Sequence, residues 1–389
     1  MSSMQLLDLN SSTVAENAFC PQASRSGLFF LNLSSFILEG IVQMVICLLG
    51  IIGNIVSIFL LSRPELRSFF NQLLGILASF DLVYLITIFI ESIRMLGYQT
   101  NVHVLLFPYF LYPVSFIAMS CSTFSTISVA LERYIAVYYP LHYNRILMDA
   151  TSHRGRLLTY FVPIICLGII INIPKFLESQ VIFKENGSPQ IGVTDLRTNH
   201  LYITYYHNFF RILFIGVIPF LSIVFLNISI YLSLKRRRKG KRRNLEHLSL
   251  VLIMIVSTFV ICHFPSLILN MHEMFVIDKI KLCKQTTLGG FPVWIIFSGF
   301  VSDILLVINS SANLFIYFII GPEFRKQFHR YILCKKNGEE SVCKCLQSSE
   351  IQPCRICGKV RRRMELTKEN ASVGNSRQDL NTNQMPSRC

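Results

Sequence analysis

The hydrophobic residues of this chain are gathered into seven long runs separated by short polar stretches. A helix needs about 20 apolar residues to cross the core of a bilayer, and every run reaches that length. The runs lie near residues 37–62, 69–96, 105–138, 155–176, 205–234, 246–275 and 291–320. Prolines inside several runs are compatible with membrane helices, because neighbouring groups satisfy the carbonyls that a proline leaves unbonded. The pattern predicts an all-α membrane protein, a seven-transmembrane helix bundle.

Composition supports this prediction but leaves the meaning of the charge open. Of the 389 residues, 52% are hydrophobic and 15% are charged, whereas soluble domains usually carry about a quarter charged residues. A net charge of +15 is compatible with nucleic-acid binding and with the basic cytoplasmic loops of a membrane protein. The positions of the basic residues decide between these interpretations.

Basic residues cluster in alternate loops between the runs. They are Arg63 and Arg67 after the first run, Arg145, Arg154 and Arg156 after the third, the segment 235–243 after the fifth, and Arg325, Lys326 and Arg330 after the seventh. With seven spans these loops share one face, which the positive-inside rule assigns to the cytoplasm. We therefore expect a multi-pass plasma-membrane protein with an extracellular N-terminus and a cytoplasmic C-terminus, and no nucleic-acid partner.

Sequence signatures of enzymes are missing. The chain has no phosphate-binding Gly-rich loop, no HExxH motif and no nucleophile elbow, and its loops are short. We therefore expect no enzyme activity and no organic cofactor. A transporter or channel is an alternative, although the sequence shows no internal repeat of the kind that transporters have.

Strongly polar residues recur near the middle of several runs, where they are costly unless they have partners. They are Asn54, Asp81, Ser122, Asn309 and Asn313. If these side chains converge, a hydrated pocket would hold Asp81 charged beside a sodium ion, the interpretation that we favour. The alternative is a protonated Asp81 that links helices by hydrogen bonds. No other metal site is expected.

Six short motifs follow one another along the chain. They are Gly53-Asn54, Leu77 to Asp81, Glu132-Arg133-Tyr134, Pro219, Phe259 to Pro265 and Asn313 to Tyr317. In this order and spacing they resemble the rhodopsin-like (class A) G-protein-coupled receptors over residues 37–335. The resemblance implies a ligand pocket between the outer halves of the helices and a heterotrimeric G protein as the partner on the inner face.

The resemblance also implies roles for residues of the inner half. Arg133 would contact the G protein once the sixth helix moves outward, Tyr134 would steady it, and Glu132 would hold it at rest. An apolar contact to the G protein would come from the second inner loop, at Pro140 and Leu141. The positions that move on activation would include His263, Pro265 and Tyr317.

The sequence departs from the family pattern at several positions. His263 stands where the family has Trp in the sixth helix, and Leu314 stands where Pro follows the Asn of the seventh. Pro108 stands where the third helix of the family has a cysteine, and segment 175–205 has no cysteine. The family's disulfide between the third helix and the second outer loop therefore cannot form. Cys20 and Cys283 lie on the outer side, and we expect them to pair instead.

The segments outside the bundle are assigned from the same pattern. Residues 1–36 would form an extracellular N-terminal segment, with glycan acceptor triplets at Asn10 and Asn32 and a third at Asn186. The bundle would span residues 37–321, and residues 322–334 would form a short amphipathic eighth helix with Cys334 palmitoylated. Residues 335–389 would be a disordered cytoplasmic tail that recruits arrestin. Basic residues near the inner surface would contact anionic membrane lipids.

The outer halves of the predicted helices contain groups that suit a ligand with a cationic side chain. Carboxylates are supplied by Glu91, Asp303 and Glu273, and an Arg guanidinium can engage a carboxylate through two hydrogen bonds. The alternative for Glu91 is an internal pair with Arg94 or Arg211. Aromatic residues at similar depth would contact an apolar or aromatic ligand group: Tyr112, Phe116, Phe210, Phe264 and Phe300.

A cationic and an aromatic subsite together favour a peptide ending in Arg-Phe-amide. Ser115 stands where amine receptors of the family carry Asp, and Val307 stands where opsins carry the retinal Lys. Segments 129–137, 220–227 and 306–317 resemble the invertebrate FMRFamide-receptor-like branch of neuropeptide receptors. The prediction is a receptor for an amidated neuropeptide, with another peptide or a chemosensory ligand as the alternative.

Overall fold

The structure is a computed structural model that describes residues 24–66, 68–98, 100–140, 143, 152–183, 187–199, 201–236, 243–282 and 291–334. Within these ranges, seven helices are long and apolar enough to cross a membrane. They are Arg25–Leu61, Phe69–Met95, Asn101–Tyr138, Leu157–Leu177, Ile212–Ser233, Ile253–Glu273 and Val293–Ser311, and we label these spans α1 to α7. The predicted seven-transmembrane fold is confirmed.

Several spans belong to longer or irregular helical segments. Helix α4 joins the α-helix Ser152–Asn172 to the 3₁₀ turn Ile173–Leu177, and α6 is part of Arg243–Leu282. The segment around α5 combines the π-helices Tyr202–Phe210 and Ile212–Val217 with the α-helix Ile218–Arg236. Further π-helical turns occur at Phe36–Val42 in α1 and Phe107–Leu111 in α3. The extra residue of a π-turn rotates the side chains beyond it, and such turns are frequent at functional sites.

Two helices begin earlier than the apolar runs predicted. Helix α1 starts at Arg25 and not near residue 37, and the hydroxyl of Ser24 caps it by accepting a hydrogen bond from the Gly27 amide at 3.1 Å. Helix α3 starts at Asn101, where Thr100 accepts from the His103 amide at 3.2 Å. A capping hydroxyl satisfies amides that the first helical turn leaves free, so it extends a helix into polar sequence. Helix α1 thus enters the segment predicted to lie outside the bundle.

The connection between α4 and α5 contains the only two strands in the described part of the chain. Strand β1 (Ser179–Phe183) pairs antiparallel with β2 (Pro189–Val193), with Ser179 opposite Val193 and Phe183 opposite Pro189. A helical turn, Asp195–Thr198, follows. The hydrophobic pattern did not predict this hairpin.

A short helix follows the seventh span. The chain continues helically through Asn313–Ile320, and Pro322–Phe328 forms α8, followed by the π-helical turn His329–Cys334. The ring of Phe324 is buried and lies 5.7 Å from that of Tyr317, centroid to centroid. Arg325 is the last residue of one compact unit, and Lys326–Cys334 belong to a second. The amphipathic role of this helix and the lipidation of Cys334 remain predictions.

The distribution of polarity is that of a membrane protein. Large apolar side chains are exposed on several spans, among them Ile52 at 59%, Ile170 at 61% and Ile261 at 65%. Polar side chains such as Asn54 and Asp81 are instead buried between the helices. Lipid tails are as apolar as the exposed residues, so close packing and interhelical hydrogen bonds must hold the bundle together.

The approach of α1 to its neighbours depends on the absence of a side chain at Gly50. A Cβ atom there would lie 2.2 Å from Ser311 Oγ in α7 and 2.8 Å from Leu85 Cδ1 in α2. Small residues at such points allow membrane helices to pack closely. Gly50 therefore sets the distance between three spans.

We expect Gly50→Ala to lower the stability of the bundle. The added methyl group overpacks a closed interface, and we expect this to cost about 1–3 kcal/mol. The control is Gly75→Ala in α2, where a Cβ atom would meet nothing within 4 Å. Thermal unfolding of the purified protein in detergent measures both. Equal transition temperatures for the two variants would contradict this account of the α1 interface.

Candidate functional site

Asp81 lies at the centre of a hydrogen-bonded core. Its carboxylate accepts from the hydroxyl of Ser122 in α3 and from the amide of Asn313, both at 2.6 Å, and the side chain of Ser310 is a further donor. Asn54 in α1 donates to the carbonyl oxygens of Gly50 at 2.9 Å and Ser310 at 3.0 Å. The structure thus brings Asn54, Asp81, Ser122 and Asn313 together. Asn309 is not among the partners of Asp81 that the structure describes.

Donors on both carboxylate oxygens are the environment that stabilises an ionised aspartate. Asp81 is itself only 1% exposed, so these donors and any bound cation must replace the water that it gives up. A sodium ion beside Asp81 remains a prediction.

Glu91 in the outer half of α2 is already paired within the protein. Both Nε and a terminal nitrogen of Arg94 donate to one of its oxygens, with Nε at 2.9 Å, and His103 Nε2 lies 3.2 Å from the other. The structure therefore favours the internal pair with Arg94 over a free ligand-binding carboxylate. Arg211, the alternative partner, lies against the ring of Phe116 in α3 and forms no ion pair with Glu91.

Asp303 in the outer half of α7 has a different environment. Its side chain is exposed, and it makes no hydrogen bond or ion pair with any residue that the structure describes. Glu39 of α1 lies close enough to Asp303 and to Glu91 to interact electrostatically with each of them. Glu273 in α6 is half-buried. The outer parts of α1 and α7 therefore bring the carboxyl groups of Glu39 and Asp303 close to each other.

The predicted aromatic residues fall into two groups. Tyr112 and Phe116 pack edge to face in α3 with centroids 4.9 Å apart, and Phe210 lies 4.5 Å from Phe214 beside α5. Phe300 is instead buried in an apolar cluster with Leu31 of α1. Phe264 in α6 is 50% exposed. The interior therefore presents aromatic surface from α3 and α5, while Phe300 supports the packing of α7 on α1.

A buried ion pair at the end of α4 is a feature that the sequence interpretation missed. Lys175 Nζ lies 2.7 and 2.8 Å from the two carboxylate oxygens of Glu178, and both side chains are almost fully buried. Tyr112 and Tyr202 each donate to Glu178 at 2.6 Å, so α3 and the start of the α5 segment are tied to the same carboxylate. Burial and the neighbouring Glu178 raise the pKa of Tyr202 far above its usual value, which keeps its hydroxyl a donor at physiological pH.

This pair also fixes the outer hairpin. Strand β1 begins at Ser179, directly after Glu178, and the backbone carbonyl of Glu178 accepts from the Thr194 amide at 3.1 Å, just beyond β2. The Thr194 hydroxyl donates to the carbonyl of Leu177 at 2.5 Å. Both ends of the hairpin are therefore attached to the buried cluster. The signal in the sequence was a Lys and a Glu three residues apart at the end of an apolar run.

At the inner end of the bundle, Arg133 has a contact that the sequence did not predict. Its guanidinium carbon lies 3.4 Å from the ring centroid of Phe70 in α2, a cation–π contact, and Glu132 accepts from the Tyr160 hydroxyl at 3.2 Å. Phe70 covers the guanidinium, and Glu132 also interacts with it electrostatically. That Glu132 holds Arg133 at rest remains a prediction. Tyr134 stacks on Tyr138 with centroids 4.8 Å apart.

The remaining switch residues lie on α6, the end of α7 and the second inner loop. His263 stacks on Phe259 with centroids 4.0 Å apart, and Pro265 lies inside the same helix. The Tyr317 hydroxyl is buried without a hydrogen-bond partner among the described residues. Pro140 is half-buried after α3.

Several predicted positions lie outside the described residues: Asn10, Cys20, Leu141, Asn186 and Cys283. Asn32 is exposed on α1, and its glycosylation remains a prediction.

Comparison with known proteins agrees with the arrangement of helices and polar core. The model of the family described as "7 transmembrane receptor (rhodopsin family)" matches residues 53–317. The chain belongs to the rhodopsin family of seven-transmembrane receptors. Members of this family are receptors and not enzymes, so the expected class is confirmed and the transporter or channel alternative is set aside.

Three relatives of this receptor indicate its branch of the family. The "FMRFamide receptor" of Drosophila melanogaster is 32% identical over 76% of this chain, which spans about half (54%) of that protein. The "FMRFamide peptide receptor frpr-18" of Caenorhabditis elegans is 28% identical over 76% of the chain and 68% of its own length. The "Probable G-protein coupled receptor frpr-1" of the same nematode is 24% identical over 78% and 81%. The resemblance to FMRFamide-receptor-like proteins is confirmed.

We expect Glu178→Gln to destabilise this receptor strongly. The substitution leaves the buried Lys175 without its carboxylate, and breaking a buried pair on one side costs about 3–5 kcal/mol. Adding Lys175→Met removes the stranded charge, so the double variant should recover much of the loss. Asp195→Asn, an exposed acid in the same loop, is the control. Surface expression and thermal unfolding are the measurements. A double variant no better than Glu178→Gln would contradict the ion-pair account.

We expect sodium to stabilise the wild-type receptor and to have no effect on Asp81→Asn. The amide retains the shape of the carboxylate but lacks the charge that binds a cation. Thermal unfolding in sodium chloride and in choline chloride at equal ionic strength separates a specific ion effect from charge screening. Equal transition temperatures of the wild type in the two salts would instead favour the interpretation in which Asp81 only links helices.

Proposed function

We propose that this receptor binds an amidated neuropeptide ending in Arg-Phe-amide and transmits binding to a heterotrimeric G protein. The observation that carries the proposal is the exposed carboxylate of Asp303, which has no partner among the described residues. The names of the FMRFamide-receptor relatives supply the peptide class. Positively charged loops on one face support a plasma-membrane receptor with its N-terminus outside.

The outer bundle suits the Arg of such a peptide. A guanidinium can bind Asp303 with two parallel hydrogen bonds, and Glu39 lies close enough to Asp303 to interact with it electrostatically. Glu39 is itself fixed by the Ser35 hydroxyl, which donates to it at 2.5 Å. A cation entering here relieves the repulsion between the carboxylates. A cationic ligand group would therefore interact favourably with Asp303 and Glu39 together.

The C-terminal Phe requires an apolar, aromatic subsite. Four rings follow one another beside α5, Tyr202, Tyr206, Phe210 and Phe214, with successive centroids 5.1, 5.6 and 4.5 Å apart. Offset and tilted aromatic pairs at such distances are favourable beyond their buried area. With Phe116 of α3 nearby, a ligand ring would extend this column.

Activation is proposed as a shift between two packings of the helices that the ligand biases. At rest, Phe70 covers Arg133, so the guanidinium must leave this ring before it can contact a G protein. Tyr134, Pro140 and Leu141 would complete that contact. The tail and the basic inner loops would serve arrestin and anionic lipids. Another peptide or a chemosensory ligand is the alternative within the family.

The test is a nucleotide-exchange assay on the surface-expressed receptor with Phe-Met-Arg-Phe-amide and its analogue that has citrulline in place of Arg. We expect Asp303→Asn to reduce potency about a hundredfold, or roughly 2.7 kcal/mol, and to abolish the preference for Arg over citrulline. Glu91→Gln is the comparison, and it should act on surface expression rather than on this preference, because Arg94 and His103 hold Glu91.

Two results would contradict the proposal in different ways. A wild type that reaches the surface but responds to no Arg-Phe-amide peptide shows that the ligand assignment is wrong. An unchanged preference for Arg over citrulline in Asp303→Asn shows that another group binds the guanidinium.

A further inference from the structure

Arg211, the residue just before α5, is a cation that no described carboxylate pairs with. Its guanidinium carbon lies 4.6 Å from the ring centroid of Phe116, and its Nε is buried without a hydrogen-bond partner. Among the described residues, no carboxylate forms an ion pair with it. The predicted partner Glu91 is held by Arg94 and His103. The contact with Phe116 replaces only part of the lost hydration.

Two further cations, Lys175 and Arg197, lie near Arg211. Lys175 Nζ lies 4.6 Å from the same Phe116 ring, and Arg197 and Arg211 both repel Lys175. Glu178 is already shared by Lys175, Tyr112 and Tyr202, with Arg197 Nε at 3.9 Å. Glu273 of α6 attracts Arg211 from a longer range. Glu178 therefore has no accepting capacity left for Arg211.

We propose that Arg211 binds a carboxylate of the ligand. The proposal rests on the amidated-peptide function, and it specifies that peptide further. A C-terminally amidated peptide has no terminal carboxylate, so the anion must be the side chain of an Asp or Glu. A guanidinium binds a carboxylate through two charge-assisted hydrogen bonds, which suits an arginine with a free edge. The preferred ligand then has opposite charges, its Arg on Asp303 and its acid on Arg211.

The two subsites also explain how the receptor would discriminate among related peptides. A neutral analogue leaves the half-buried Arg211 without a carboxylate partner, so it is penalised relative to the acidic peptide. A peptide with a second cation at this position would meet Lys175, Arg197 and Arg211 and be rejected. In the chain, Lys175 and Glu178 directly precede the outer hairpin, which begins at Ser179.

The experiment compares acidic and neutral peptides on matched variants. The probes are Phe-Met-Arg-Phe-amide extended at its N-terminus by Glu or Gln, directly or through one or two Gly residues. The receptors are the wild type, Arg211→Gln, Arg197→Gln and Glu273→Gln. Arg197→Gln is the control, because it removes one positive charge from the same cluster at a residue that already faces Glu178. Potency is normalised to surface expression.

We expect the wild type to prefer the Glu peptide over the Gln peptide at one spacing by at least tenfold. Arg211→Gln should abolish this preference, and Arg197→Gln should retain it. Glu273→Gln should retain or increase it, since removal of a competing carboxylate strengthens the pull on the ligand acid. The wild-type preference needs no variant, so the proposal stays testable if Arg211→Gln fails to reach the surface.

Each contrary result has a distinct meaning. A wild type that responds to both peptides equally at every spacing overturns the carboxylate subsite and leaves the proposed function standing. An equal loss of potency for both peptides in Arg211→Gln and Glu273→Gln shows that Glu273 is the partner of Arg211, which also overturns it. Silence of the wild type toward all of these peptides overturns the proposed function and this subsite together.

Discussion

A charge inside a helix bundle is stable only where other groups replace the water that it has lost. Most buried charges of this receptor meet that condition. Asp81 accepts from Ser122 and Asn313, and Glu178 accepts from Lys175, Tyr112 and Tyr202. These bonds cross between helices, so the need to satisfy each charge also decides which helices are held together. Asp303 and Arg211 stand apart from this arrangement, and for that reason we assign them to the ligand.

The buried cluster around Glu178 has a second consequence for the outer surface. This chain has Pro108 where the family has a cysteine, so the outer hairpin lacks the family's covalent link to the third helix. Tyr112 of α3 donates instead to Glu178, the residue immediately before β1. An ion pair with two phenolic donors holds the hairpin near α3 without a disulfide. Such a link depends on low local dielectric and complete hydrogen bonding, so it fails if one partner is lost.

Prediction from the sequence succeeded where a single physical rule acts along the chain. Length and hydrophobicity identified the seven spans, because the bilayer requires about 20 apolar residues and internal backbone bonding. The same rule failed at the start of α1, where a Ser24 cap extends the helix into polar sequence. Among the site residues, the contacts of Asp81 with Ser122 and Asn313 were expected from polar positions at matching depth. The pairing of Arg133 with Phe70 was not, since a cation–π contact leaves no charge pattern in the sequence.

The sequence by itself determined the membrane class, the number of spans, the family and the depth of each polar group. These properties depend on periodicity, run length and short motifs, which are local along the chain. Only the tertiary structure decided which charges are paired. Glu91 and Asp303 are both acids in outer halves of spans, yet Arg94 and His103 hold one while the other is exposed. Partner choice depends on distances of a few ångströms between different helices, and electrostatic energy in a low dielectric changes steeply over that range.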